Sequence, residues 1–449
     1  MENQKYDVIV IGGGPAGIIS ATTARKYYPD KKILLIKNIE KGVIPCGIPY
    51  MFETLKNPEE NAMGNAPLEK NNVGLMVDEV IKILRQEKSV KTKAGKTLIY
   101  EKLILAMGAN PILPPIKGLD KENVFPIYKE MSYLKGLKDK LAAAKNIVII
   151  GGGFIGIEFA DEFSSIKGKN VSLVEAFPYL LMNSFDIDFG ELVRQKLETK
   201  GVKLSLNTKV AEVLGQDKVS EVRLSDGTTI PADMVVLGIG ASPNTKLAQA
   251  AGLDLGKGKG IWVDEYMRTI DPDIFAIGDC VGKRDFFTRK DLPVMLASTA
   301  TAEARVAGAN LYKLKVVREN KGTIAIYSTY VDGLVLGSAG LTEASAKAEG
   351  FEIEIGQAEA PSKHPATLPG TVKTKVKLIF SKQSGILMGG QVVGGISAGE
   401  IINIIGLAIQ KRVSATELET LQMATHPHLT APPTMYPLVL AAQDVVGKI

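Results

Sequence analysis

Tyr6-Asp7-Val8-Ile9-Val10-Ile11-Gly12-Gly13-Gly14-Pro15-Ala16-Gly17 decides the fold. A short apolar run breaks at once into G-x-G-x-x-G. A helix-compatible stretch then continues to about Tyr27, and a second apolar run follows at 32–36. A glycine-rich turn alone would say little, but strand, glycine loop, helix and strand together make the dinucleotide fingerprint. The first glycine permits the tight turn, the second lets a pyrophosphate reach the backbone, and the third lets helix and sheet pack closely. The helix N-terminus adds free N–H donors and a positive dipole end.

The pattern recurs. Residues 146–150 are apolar and lead into Gly151-Gly152-Gly153-Phe154-Ile155-Gly156, a helix-compatible stretch and a strand at 170–174 that ends on Glu175. A carboxylate at that place accepts from both ribose hydroxyls of an adenosine and repels a 2′-phosphate, which favours NADH over NADPH. The first copy has Lys37 there instead of an acid. Two such units predict two dinucleotides in one chain. Residues 103–109, followed by Pro111, Pro114, Pro115 and Gly118, read as a buried strand with a rigid exit. Residues 273–280 read as a short strand ending at Asp279 and Cys280, with a helix at 296–310. Asp279, at a strand's carboxyl end, is placed either to bind a ribityl hydroxyl or to cap the turn that follows.

Composition narrows the classes further. A chain of 449 residues suggests about three domains. Its 54 Lys+Arg against 49 Asp+Glu leave a net charge of +5, too dilute for a nucleic-acid footprint. No window reaches the ~18 apolar residues of a membrane span, and the start lacks a basic region before a cleavage site. A cytoplasmic protein with neither nucleic-acid nor membrane partner is expected. Two cysteines, Cys46 and Cys280, exclude a disulfide scaffold and a structural zinc site, and three histidines argue against a catalytic metal cage.

Together these segments resemble the pyridine nucleotide–disulfide oxidoreductase superfamily over essentially the whole chain. The resemblance implies an α/β fold: two Rossmann-like dinucleotide-binding domains, for FAD and NAD, plus a C-terminal α+β dimerisation domain. The expected division is 1–115 and 246–318 for FAD, 116–245 for NAD and 319–449 for dimerisation, hence a homodimer. FAD is expected at Gly12, Gly14, Pro15, Ala16, Gly17, Val80, Met107, Gly108, Asp279 and Ala297. Lys37 is a candidate adenosine contact, with binding of another anion or simple solvation as the alternatives. NADH is expected at Gly151, Gly153, Ile155, Gly156, Glu175 and Gly240, with Glu158 near the nicotinamide.

The segment Ile44-Pro45-Cys46-Gly47-Ile48-Pro49-Tyr50 selects the chemistry. Dithiol relatives carry two cysteines five positions apart, whereas here position 51 is Met51. The chain therefore resembles the single-cysteine branch, which holds coenzyme A-disulfide reductases, NADH oxidases and peroxidases, and persulfide or polysulfide reductases. The helix expected after Cys46 would lower its thiol pKa; the plainer reading is a small buried hydrophobe. Cys280 reads as structural packing. Peroxidases and water-forming oxidases carry a histidine where this chain has Pro15, which can neither donate a proton to peroxide oxygen nor stabilise a sulfenate. Sulfur chemistry is thereby favoured over oxygen. The acceptor is expected to be a small disulfide, persulfide or polysulfide, with coenzyme A as one carrier. Oxygen is the alternative, and an electron-transfer flavoprotein serving a protein partner is the rival of another class.

From about residue 321 the texture becomes that of an antiparallel sheet, with strands at 323–330, 334–340, 352–357, 375–380 and 386–393 and helices at 398–411 and 415–421. In the family, C-terminal residues of the partner complete the site. His426 and Tyr436 are the candidate acid/base groups, with an exposed loop role as the alternative for each. Lys283, Arg284, Arg289 and Lys290 form a basic loop, either solvated or anion-binding, and Lys373, Lys375 and Lys377 alternate like the wet face of a strand.

Overall fold

The computed structural model describes residues 4–318 and 322–448. The expected start of the third unit, at 319, lies outside the described residues.

The strand Gln4–Ile11 sits in the middle of the first sheet, parallel to Ile33–Lys37 on one side and Thr97–Leu105 on the other. Gly74–Val77 extends the sheet beyond Ile33–Lys37. Ile274–Ala276 joins the carboxyl end of Thr97–Leu105 in parallel, so a segment ~170 residues later returns to the same sheet. Val8, Ile9, Val10, Leu35, Leu103, Ile104 and Leu105 are all fully covered. Continuous apolar runs of this kind suit parallel strands buried on both faces. One face is covered by the helices Pro15–Tyr27 and Ala297–Ala309. These approach so closely that a Cβ on Gly308 would lie 2.7 Å from the Ser20 carbonyl.

The second sheet repeats the plan in the order Lys203–Ser205, Asn170–Val174, Asn146–Ile150, Met234–Leu237, Val124–Pro126, parallel throughout. The two crossings between the sheets, Ala109–Pro111 and Ala241–Pro243, pair with each other as a short antiparallel ribbon. The third sheet is antiparallel, in the order Ile326–Val331, Leu334–Gly340, Leu387–Gly394, Lys373–Ser381, Ile353–Pro361. The helices Ala398–Lys411 and Pro437–Gln443 pack on it. The α/β class with a third α+β unit is what the sequence pattern predicts.

The reading of Lys373, Lys375 and Lys377 as a wet face needs correction. Only Lys373 is exposed. Lys375 meets Asp188 at 2.7 Å, and Lys377 is 5% exposed in its side chain, held by Asp186 at 3.0 Å and Glu343 at 2.6 Å. Gln391 also bonds Asp186, donating to its carboxylate and accepting its backbone N–H. The face that alternation assigns to water is covered here by the start of the helix Ile187–Thr199 from the second unit. Burying an ammonium is costly unless carboxylates surround it, and three do.

Candidate active site

The two glycine loops are built alike, atom for atom in several respects. Gly12 (φ +118°) donates to the Ile36 carbonyl and Gly151 (φ +108°) to the Val174 carbonyl, each at 2.8 Å. These backbone angles favour glycine. A Cβ on Gly17 would stand 1.9 Å from the Gly12 oxygen, and one on Gly156 would stand 1.8 Å from the Gly151 oxygen, so helix and turn pack closely in both. Around Gly14 and Gly153 the case is reversed, since a Cβ there meets nothing within 4 Å. Each of these residues caps a helix, Pro15–Tyr27 and Phe154–Ser164, without a side-chain capping bond. Open space in front of uncapped N–H donors is the shape and polarity a pyrophosphate requires. FAD and NADH therefore fit what the two loops offer.

Beyond the loops the copies part. Glu175 is buried, accepting the Gly152 N–H with one oxygen and the Phe177 N–H, at 2.7 Å, with the other. Lys37 is also buried, so neither solvation nor a free anion-binding ammonium describes it. Its stem lies against Gly13, and its Nζ donates to the Glu40 carbonyl (2.9 Å) and Asn65 Oδ1 (3.0 Å). A cavity of about 540 Å³ lined by Glu40, Lys41, Met63 and Asn65 opens beside these partners. Val80 begins the edge strand Val80–Leu84, Gly108 (φ +68°) follows Met107 at the end of Thr97–Leu105, and Gly240 (φ +96°) follows Met234–Leu237. Ala297 opens its helix, and Ile155 lies exposed in the first turn of the helix Phe154–Ser164.

Asp279 lies in the short 3₁₀ turn Gly278–Cys280 that ends the returning strand, and its carboxylate meets Lys129 Nζ at 3.3 Å. The turn is clamped from beneath. Glu303 accepts the Gly278 N–H (2.8 Å), Lys283 donates to the Gly278 carbonyl (2.7 Å), and the two side chains pair with each other, both almost fully buried. This corrects the basic-loop reading for Lys283, which is neither solvated nor available to a phosphate; Lys290 pairs with Glu349. Cys280 is wholly buried, its Sγ directed at the Ile277 carbonyl (3.2 Å), and burial raises its pKa to about 11. That environment suits packing.

Cys46 is exposed, in the 3₁₀ turn Pro45–Gly47, and a second such turn, Pro49–Met51, follows. The α-helix expected after it does not form, because Pro45 and Pro49 each remove an N–H and hold the chain in tight turns. Asn61 fixes the segment. It donates to the Ile44 carbonyl at 3.0 Å and lies so close to Gly47 that a Cβ there would be 2.0 Å from its Oδ1. Met51, at the second-cysteine position of dithiol relatives, is in the core. The expectation of a lowered thiol pKa also fails. Partial enclosure pushes the Cys46 thiol up, the Glu158 carboxylate pushes it further, and Lys129 opposes both.

Glu158 and Glu162 share one face of the helix Phe154–Ser164. Glu162 accepts from the Thr54 N–H (2.9 Å), the Glu53 N–H (3.2 Å) and the Thr54 hydroxyl (2.6 Å), holding the end of the cysteine segment. Glu158, one turn earlier, accepts from the Thr329 hydroxyl at 2.9 Å. Burial raises its pKa to about 7, with the Thr329 bond opposing and Asp161 adding. Asn61, Lys129 and Thr329 were missed in the sequence, where none stands in a motif. Tyr436 packs in the core of the third unit, and His426 lies on an exposed loop of that unit. In its own chain the charges felt at Cys46 are instead Glu158, Lys129 and Asp279.

Residues 6–304 match the family model for pyridine nucleotide-disulphide oxidoreductase, and 326–436 match that family's dimerisation domain. The chain belongs to this family. It is 33% identical to an NADH oxidase of Methanocaldococcus jannaschii over 98% of this chain and 99% of the relative. It is 31% identical to an NAD(P)H coenzyme A polysulfide/persulfide reductase of Pyrococcus horikoshii over 88% of each. Among solved structures, an NAD-dependent persulfide reductase from A. fulgidus superposes with TM-score 0.91 at 29% identity, covering 98% of this chain and 83% of that one. The protein is a flavin-dependent NAD(P)H oxidoreductase with FAD and NADH as its cofactors. Among the described residues, no helix is long and apolar enough to cross a membrane.

Proposed function

We propose that the protein is an NADH-dependent reductase of small disulfide, persulfide or polysulfide substrates, working through Cys46. The observation that carries this reading is one accessible thiol between Glu158 and the Lys129–Asp279 pair, with the second-cysteine position filled by buried Met51. With no internal partner, the thiol must exchange with a sulfur of the substrate. The persulfide reductase likenesses support the same reading.

When bound, FAD supplies a two-electron store between the nicotinamide and sulfur. In this reading the loop at Gly12, Gly14 and Gly17 holds its pyrophosphate on free N–H groups and Asp279 takes a ribityl hydroxyl. The loop at Gly151, Gly153 and Gly156 holds NADH, with Glu175 on the ribose. Cys46 attacks the substrate sulfur as a thiolate. The division at 1–115, 116–245, 246–318 and 319–449, a cytoplasmic location and a homodimer belong to the same proposal. For the homodimer, the support is the match of residues 326–436 to the family's dimerisation domain, together with Ile404 and Leu407, exposed one turn apart on the helix Ala398–Lys411. His426 and Tyr436 would then serve a partner's site.

Oxygen is the second reading, favoured by the likeness to the Methanocaldococcus oxidase. An anaerobic panel of coenzyme A disulfide, coenzyme A persulfide, polysulfide and elemental sulfur, run with wild type and Cys46→Ser, decides. Turnover lost in Cys46→Ser while slow oxygen consumption persists supports the reductase. Parallel loss of both activities supports the oxidase.

A further inference from the structure

We propose that the buried Lys283–Glu303 pair positions the flavin carboxylate: it fixes the turn Gly278–Cys280 so that Asp279 is held at the angle at which it meets the ribityl chain. The proposal rests on the reading above, in which Asp279 takes a ribityl hydroxyl, and names the residues that aim it. Lys283 and Glu303 are positioning residues in this account, since they act on the flavin only through Asp279.

The geometry is that of two anchors on one residue. A peptide unit is planar, so each residue keeps only two soft dihedrals. The Gly278 N–H belongs to the unit shared with Ile277, and the Gly278 carbonyl belongs to the unit that leads into Asp279. Glu303 holds the first at 2.8 Å and Lys283 holds the second at 2.7 Å. With both units anchored, the two dihedrals of Gly278 are set from outside. That matters because a glycine, here at φ +73°, is the residue with most backbone freedom to lose. The pair closes on itself at 2.9 Å, its side chains 3% and 4% exposed, so neither anchor can swing to water. Packing fixes the same residue from another side. A Cβ on Gly278 would lie 3.1 Å from the Cβ of Ala16, in the first turn after the first glycine loop, and 3.5 Å from that of Ala300. The turn is thus held between the phosphate loop and the helix that carries Glu303.

Stability alone does not call for such a pair. The cost of burying two charges offsets most of their attraction, and apolar side chains of like volume often serve the fold as well. What an ion pair supplies and apolar side chains do not is a donor and an acceptor in fixed places. Both are in place ahead of any ligand. Glu303 lies in the middle of the helix Ala297–Ala309. Lys283 lies in the short strand Lys283–Arg284, paired with Asp291–Leu292. The loop beyond is tied to the third unit: Thr323 donates to the Arg284 carbonyl at 2.7 Å, Phe286 donates to the Thr323 carbonyl at 3.1 Å, and the Phe286 ring packs in that unit's core. The Asp279 carboxylate lies outside the clamp and meets Lys129, an exposed side chain able to yield to a ligand.

The test follows FAD release from the full-length holoenzyme on dilution, by flavin fluorescence, beside the Tm of each variant. Asp279→Ala loses a charged acceptor and should release FAD ~10–150-fold faster. Lys283→Met frees the peptide unit next to Asp279 and should speed release ~10-fold. The double variant Lys283→Met/Glu303→Gln carries no buried charge and keeps an acceptor for the Gly278 N–H, so it should fold even if the single variant does not. It too should release FAD ~10-fold faster. Placed on top of Asp279→Ala, the same changes should alter release less than about twofold, because the carboxylate they aim is gone. A pair that served the fold alone would lower Tm and speed release equally with and without Asp279. That equal acceleration overturns the proposal, and so does release at the wild-type rate from the double variant. Wild-type release from Asp279→Ala by itself would instead defeat the flavin reading of Asp279, whatever the pair variants do.

Discussion

The two glycine loops of this chain agree in the parts proposed to hold a phosphate and disagree in the parts proposed to meet a ribose. Gly14 and Gly153 adopt the same extended conformation (φ −77° and −78°) before open space. One strand later, Glu175 points a carboxylate at its own loop while Lys37 turns its ammonium away onto Glu40 and Asn65. Phosphate recognition is done by backbone and survives any side-chain change that spares the glycines. Ribose recognition is done by one side chain, so duplication leaves it free to diverge.

The largest expected effect breaks the shared half of this comparison one copy at a time. Gly14→Val and Gly153→Val each place a side chain where nothing stands, in a conformation valine accepts, so neither should strain the fold. Gly153→Val should keep bound flavin and its visible spectrum while reduction by NADH falls ~100-fold or more, since a charge-assisted anion site is lost. Gly14→Val should purify without flavin. Absorbance spectra and stopped-flow reduction check both. Flavin lost from Gly153→Val would show that the loops are not assigned as proposed.

The next effect tests the half that differs. Glu175→Ala removes an acceptor worth about 1.5–3 kcal/mol as a charged hydrogen bond, or ~10–150-fold. The ratio of kcat/KM for NADH over NADPH should fall by that factor, with NADPH gaining as NADH loses. A ratio unchanged in steady-state assays would mean that Glu175 serves only the Gly152 and Phe177 amides it already binds.

How much of this was legible follows from the range of the interactions. Gly12 to Gly17 and Gly151 to Gly156 could be read because a turn's demands are local: a positive φ at Gly12 and a close approach at Gly17 select glycine within six residues. The helix Ala398–Lys411 and the sheet strands were legible for the same reason. Lys129 beside Asp279, 150 residues away, left no local mark. Lys377 was misread because alternation reports which face a strand shows, not what covers it, and the cover comes from Asp186 and Asp188 in another unit. Cys46 was misread because enclosure first, and then the Glu158 carboxylate more than a hundred residues on, push its pKa up, while the helix end that its neighbours suggested does not form.

The smallest effect concerns Lys37. Its two hydrogen bonds go to protein acceptors, so on this geometry it braces the loop and contributes little to the nucleotide itself. Lys37→Met keeps the stem that packs on Gly13 and removes the ammonium. Losing the ammonium's bonds to the half-buried Asn65 side chain and to the Glu40 carbonyl should cost about 0.5–1.5 kcal/mol of stability, visible as a lowered Tm. Affinity of the apoprotein for FAD, measured by fluorescence quenching, should change less than about threefold, under 0.7 kcal/mol. The contrast with Glu175→Ala is the point of the measurement: one residue stands at the end of each second strand, both are buried, and in the proposed reading only the acid faces a nucleotide. A tenfold loss of FAD affinity in Lys37→Met would place the ammonium on the cofactor and make the two strand ends functional equivalents after all.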